Sequence, residues 1–133
     1  MARILVVDDQ TPVRNALKTL LEHEGHTVIA AEGGSSALTA IEAFAFDLVI
    51  IDLIMPGMDG LDTIRIFRDS APRVPIIAMS GYAFRGGSSD LDFFRMALDL
   101  GAACCLQKPI KPRDLLKAIE TCRAEWSGGL KVA

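Results

Sequence analysis

Apolar and polar positions alternate along this chain in blocks rather than singly. Arg3-Ile4-Leu5-Val6-Val7 is a short, nearly continuous apolar run, the pattern of a strand covered on both faces. Thr11-Pro12 then predicts a helix start, with threonine as N-cap and proline in the first turn. Val13, Ala16, Leu17, Leu20 and Leu21 follow at helical spacing, and Gly25 closes that helix. His26 to Ala31 is β-branched enough for a second strand.

The same alternation continues to the end of the chain. Gly33-Gly34-Ser35-Ser36 punctuates, and Ala37, Leu38, Ile41 and Phe44 give the apolar face of a second helix. Leu48 to Ile51 predicts a third strand, and Leu61 to about Asp69 a third helix carrying Ile64 and Phe67. Pro72 and Pro75 end that helix, and Ile76 to Met79 predicts a fourth strand. Tyr82 to Asp90 reads as a loop, Leu91 to Leu100 as a fourth helix closed by Gly101, and Ala103 to Leu106 as a fifth strand. A fifth helix runs from Pro112 to about Glu125, and Ser127 to Ala133 reads as a frayed tail.

Strand followed by helix, five times over, predicts an α/β fold: a doubly wound parallel sheet with helices on both faces. In such sheets the functional crevice lies beyond the carboxyl ends of the strands. The residues standing there are Asp8 and Asp9, Asp52, Ser80 with Gly81, and Lys108-Pro109, whereas the second strand offers only Glu32 and glycines.

Composition narrows the class. With 133 residues, half of them hydrophobic, and a net charge of −3, this reads as one globular domain. That charge argues against direct nucleic-acid binding, and no apolar run has the length of a membrane span. Cys104, Cys105 and Cys122 lack the spacing of a disulfide framework and read as buried, reduced thiols of a cytoplasmic protein. His23 and His26, beside a helix end, read as surface residues.

Three carboxylates in one crevice repel one another unless a positive charge intervenes, and one lysine does not balance them. A hard divalent cation does, and Mg²⁺ favours a few carboxylates together with phosphate oxygens. Carboxylate, Mg²⁺, hydroxyl and lysine together point to phosphoryl transfer. Asp52 is then the candidate nucleophile, Asp8 and Asp9 the metal holders, and Lys108 a compact charge for phosphate. Ser80 is a hydroxyl donor, with Gly81 leaving room beside it. Each signal also has a plain structural reading: acids favour helix starts, Ser-Gly is a common turn, and Lys-Pro a common surface dipeptide. What the plain reading leaves unexplained is all four following their strands, with Asp52 leading into the shaped loop Met55-Pro56-Gly57-Met58-Asp59-Gly60.

ILVVDD at 4–9, DLVIIDLIMPGMDG at 47–60, PIIAMSG at 75–81 and LQKPIKP at 106–112 resemble the receiver (phosphoacceptor) domain of two-component response regulators. The resemblance implies a flavodoxin-like sheet of order 2-1-3-4-5 over residues 1–126, with 127–133 a tail or the start of a linker. It implies phosphorylation at Asp52, and Mg²⁺ bound by Asp8, Asp9, Asp52 and the backbone carbonyl of Ile54. Ser80 and Lys108 would contact the phosphoryl group, and Lys108-Pro109 would be a cis bond. Partners would be a histidine kinase or histidine phosphotransfer protein, then a downstream protein met by the surface of the fourth helix, fifth strand and fifth helix. Such a domain is a switch rather than an enzyme with a separate substrate, and is a monomer or a weak phosphorylation-linked dimer. With no output domain after the fifth helix, output falls to contact with another protein, although an excised domain of a longer chain reads the same.

Two departures stand out. The family's aromatic switch residue, three positions before the lysine, is Cys105 here. The stretch from Ser80 to Lys108 is longer than usual, which makes Tyr82 and Phe84 candidates for an output loop. These departures keep open an alternative, a phosphorylation-independent interaction module on the same fold. A phosphatase of the haloacid dehalogenase kind fits poorly, because it wants an aspartate where Gln10 stands. A flavin-binding reading lacks a hydroxyl-rich loop after the first strand.

Overall fold

The computed structural model describes residues 1–55, 60–81 and 88–125, with the side chains of 88–93 left aside. The elements are β1 (Arg3–Val7), α1 (Thr11–His23), β2 (Thr27–Ala31), α2 (Gly34–Ala43), β3 (Leu48–Asp52), α3 (Gly60–Ser70), β4 (Ile76–Ser80), α4 (Ser88–Asp99), β5 (Cys104–Gln107) and α5 (Pro112–Glu125). All strand pairs are parallel, and the sheet order is β2-β1-β3-β4-β5. The doubly wound fold and its strand order are those expected.

Successive side chains of a strand point to opposite faces, so each apolar run feeds two layers. Ile4, Val6, Leu48, Ile50, Ile77 and Met79 pack with Leu17 and Leu21 of α1 and Leu115, Ile119 and Cys122 of α5. Leu5, Val7, Val49, Ile51, Ile76 and Ala78 pack on the other face with Ala37, Ile64, Phe67 and Ala97 of α2, α3 and α4. Covering both faces explains why β3 and β4 are buried along their whole length. It also explains why their runs show no polar alternation.

The structure departs from the sequence expectations at several ends. The N-cap of α1 is Gln10, not Thr11, and it makes no side-chain cap bond. Instead the Asp8 carboxylate accepts from the Gln10 N–H at 2.8 Å, while the Thr11 hydroxyl accepts from Arg14. Phe44 follows α2 rather than sharing its apolar face; it is exposed and its ring lies under Arg3 and edge-on to Phe46. α4 starts at Ser88, three residues early, where Ser88, Ser89 and Asp90 are all residue types that favour helix starts.

His26 is half-buried, because its Nδ1 accepts from the Ala2 N–H at 3.1 Å. Of the three free thiols only Cys122 is fully buried; Cys104 and Cys105 are partly exposed because β5 forms a sheet edge. Tyr82, Phe84, the middle of the 55–60 loop and the tail from 127 lie outside the described residues.

Candidate functional site

Parallel pairing brings the carboxyl ends of β1, β3, β4 and β5 to one edge of the sheet. Val7 is level with Ile51, Asp52 with Met79, and Ser80 with Gln107, so the residues that follow converge. Asp8, just beyond β1, is fully buried, and Asp52, the last residue of β3, is 4% exposed. Asp9 is exposed. Carboxylate oxygens of Asp8, Asp9 and Asp52 all lie within 4.8 Å of one another.

Backbone and lysine share the work of holding these groups. One Asp52 oxygen accepts from the Ile54 N–H at 3.0 Å, and the other from Lys108 Nζ at 3.0 Å. Lys108 Nζ also donates to Asp8 at 2.7 Å and to the Gln10 side-chain oxygen at 3.3 Å. The lysine arrives through a backbone bond from its own N–H to the Ser80 carbonyl at 2.7 Å, and a cis peptide joins it to Pro109. One ammonium thus serves two buried carboxylates.

The charges respond accordingly. Burial works to lower the Lys108 pKa, but the hydrogen bond to Asp8 and the charge of Asp52 outweigh it and hold the ammonium above its usual range. Burial pushes the Asp52 carboxyl up, against the downward pull of the Ile54 N–H and Lys108. For Asp52 burial prevails, and a lysine that also serves Asp8 does not offset it. A divalent cation fits this donor set: three carboxylates against one ammonium leave two negative charges, and Asp9 faces solvent.

Ser80 is fully buried at the end of β4, and its hydroxyl has no hydrogen-bond partner among the described residues. Buried polar atoms without partners are uncommon and call for an explanation. Gly81 and Ile54 line the same cavity as Asp9, Asp52 and Lys108, a space of about 1050 Å³. A Cβ on Gly81 would lie 3.5 Å from Lys108 Cδ, an ordinary contact, so Gly81 is not required for space here. Cys105 stands apart on the other layer, where its thiol donates to the Phe94 carbonyl of α4 at 3.6 Å.

Three participants were not foreseen. Gln10 contacts Lys108, and Arg14 Nη1 donates to the Asp8 carbonyl at 2.7 Å. Gly60 is the third: a Cβ there would stand 2.4 Å from both the Asp52 carbonyl oxygen and Leu53 Cα. The start of α3 therefore lies against the backbone of the central aspartate, an approach that only glycine permits. The Asp-Gly pair at 59–60 was a visible signal, but it reads as a turn; the contact with β3 is tertiary.

Residues 4–120 match the family model described as the response regulator receiver domain. The chain belongs to that family. Among curated relatives, the transcriptional regulatory protein CpxR of Escherichia coli K12 is 37% identical over 129 residues, covering 96% of this chain and 52% of the relative. The DNA-binding response regulator MtrA of Mycolicibacterium smegmatis is 35% identical, covering 88% of this chain and 48% of the relative. The receiver domain described here therefore spans about half the length of these two proteins. Among solved structures, a CheY-like receiver domain protein from Methanospirillum hungatei superposes with a TM-score of 0.86 at 32% identity, covering 95% of this chain and 96% of that one. A receiver domain protein from Clostridium thermocellum gives 0.84 at 31% identity, with coverage of 94% and 96%. The receiver domain is thus a component of two-component signalling by family and by fold.

Proposed function

We propose that this receiver domain is a phosphorylation-dependent switch that accepts a phosphoryl group on Asp52 from a phosphohistidine partner, a histidine kinase or histidine phosphotransfer protein. The observation that carries the reading is the shared lysine. Lys108 bridges Asp8 and Asp52 beside a third carboxylate, Asp9, in an open cavity. A carboxylate oxygen of Asp52 forms the new P–O bond, the P–N bond breaks, and the imidazole keeps the electron pair. Asp8, Asp9, Asp52 and the Ile54 carbonyl would hold Mg²⁺, which supplies charge neutralisation at the phosphoryl oxygens.

The product places about two negative charges where one carboxylate charge stood. Lys108 offers a cation to them, and the Ser80 hydroxyl, without a partner among the described residues, supplies a donor. Both residues sit at the ends of β4 and β5, so their movement shifts the α4–β5–α5 surface and alters binding of a downstream protein. We assign the domain to the cytoplasm, where such kinases phosphorylate their targets; no helix among the described residues is long and apolar enough to cross a membrane.

Incubation with Mg²⁺ and a small acyl-phosphate donor should add one phosphoryl group by intact mass, and Asp52→Asn should abolish it. Persistent refusal of both small donors and phosphohistidine donors would remove the reading. Cys105 favours a second one, a module that binds its partner without phosphorylation, since a thiol held to Phe94 lacks an aromatic ring's reach. In that case Asp52→Asn would leave partner affinity unchanged.

A further inference from the structure

The Lys108 ammonium has three hydrogens to donate and cannot accept. Each has an acceptor: Asp8 Oδ2 at 2.7 Å, Asp52 Oδ2 at 3.0 Å and Gln10 Oε1 at 3.3 Å. Two of these acceptors belong to the acid cluster. Among the described residues, Gln10 is the lysine's one side-chain acceptor outside that cluster. Its carboxamide must present oxygen rather than NH₂ there, since an ammonium only donates.

Gln10 reaches the lysine from a backbone that is itself tied to the Asp8–Lys108 pair. Its N–H donates to Asp8 Oδ1 at 2.8 Å, while the other oxygen of that carboxylate accepts from Lys108. Its carbonyl accepts from the Arg14 N–H at 3.0 Å, and the Arg14 guanidinium returns to the Asp8 carbonyl at 2.7 Å. The Gln10 backbone, Asp8 carboxylate, Lys108 ammonium and Gln10 side chain thus close a ring of hydrogen bonds. Gln10 is exposed and lines the open cavity together with Asp9, Asp52 and Lys108.

We propose that Gln10 is a positioning residue for Lys108, a neutral acceptor that keeps the ammonium aimed into the site while its carboxylate partners are otherwise engaged. The inference rests on the phosphoacceptor reading, in which Asp8 and Asp52 turn to Mg²⁺ and to phosphorus. A lysine held by those carboxylates alone then loses its resting partners and is shared with water. The Gln10 oxygen carries no charge to offer a hard cation, so it competes little for the metal and stays with the lysine. Loss of this acceptor therefore matters little while both carboxylates serve Lys108, and most once they do not.

Gln10→Met tests this, because it keeps the side-chain length and removes the acceptor. Exchange of the Lys108 Nζ hydrogens with water, followed by ¹⁵N NMR in the cold, should be about fivefold faster than in the parent when Mg²⁺ is present, and under about twofold different without metal. Urea midpoints should coincide. Phosphoryl uptake from a small acyl-phosphate donor at saturating Mg²⁺ should fall about fivefold, with the half-saturating Mg²⁺ concentration within about twofold of the parent's. Gln10→Asn, whose amide is one carbon shorter, should behave like Gln10→Met and guards against an effect peculiar to the thioether. Equal exchange in parent and both variants would overturn the proposal, as would a loss of uptake carried entirely by weaker Mg²⁺ binding. A parent that takes no phosphoryl group would overturn the phosphoacceptor reading instead, and the exchange rates with and without Mg²⁺ would still decide whether Gln10 holds the lysine.

Discussion

The two ends of the sheet treat polar groups in opposite ways. At the amino end, the Asp47 carboxylate accepts from the Arg3 N–H at 2.8 Å and the Asp47 N–H donates to the Arg3 carbonyl at 2.8 Å. His26 accepts from Ala2, the Arg3 guanidinium donates to the Ala45 carbonyl, and Asp47 and Arg3 are exposed. Polar groups there are bonded to the chain itself and washed by solvent. At the carboxyl end, Asp8, Asp52 and Ser80 are buried, one lysine is divided between two carboxylates, and a hydroxyl lacks a described partner. One end closes the fold. The other is kept short of a cation and an anion, and that shortage is what a ligand can fill.

Several substitutions would break or sharpen this contrast. The largest stability effect belongs to Lys108→Met, which strips two buried carboxylates of their shared cation. It should cost about 3 kcal/mol in metal-free urea titrations, with part recovered on adding Mg²⁺. A loss below about 1 kcal/mol would mean that the carboxyl end is not charge-strained. Gly60→Ala comes next, at about 1–3 kcal/mol, because the added carbon meets backbone rather than a movable side chain. It should also slow phosphoryl uptake at Asp52, measured by mass against time. Asp47→Ala, at the other end, should cost about 1 kcal/mol and leave uptake unchanged; slowed uptake would show that the two ends are coupled.

The smallest effect concerns His26. Burial, the Arg123 charge and the chain's amino terminus lower its pKa, with Glu24 opposing them. The fold therefore holds the ring neutral, and as an acceptor from Ala2 it must be. Its contribution is intact above the ordinary histidine value of 6.5 and is lost as pH falls through the lower value it has in the fold. Urea midpoints should thus drop less between pH 7 and pH 5 in His26→Gln than in the parent, read from parallel titrations at each pH.

How much of this was legible in the chain depends on the range of the interactions. The strands were, because Ile4 to Val7, Leu48 to Ile51 and Ile76 to Met79 are buried on both faces and carry that in their composition. The convergence of Asp8, Asp9, Asp52 and Lys108 was legible too, because parallel strands share one direction and place their following residues at one edge. What stayed hidden depended on a partner distant in sequence. Gly60 against Leu53 and His26 beneath Ala2 each look ordinary until the other element is in place. The cap of α1 was misread for a local reason: the Asp8 carboxylate already serves the Gln10 N–H, and proline follows Thr11 in the first turn.

The sheet also separates the packing energy into two accounts that hardly communicate. Phe67 of α3 and Leu115 of α5 lie on opposite sides of it, with a full backbone layer between their clusters. Truncations at these two sites should therefore sum, with a residual coupling under about 0.5 kcal/mol in a double-mutant cycle. The α1–α5 side could then drift or be redesigned for new partners while the α2–α4 side keeps its own mutational history.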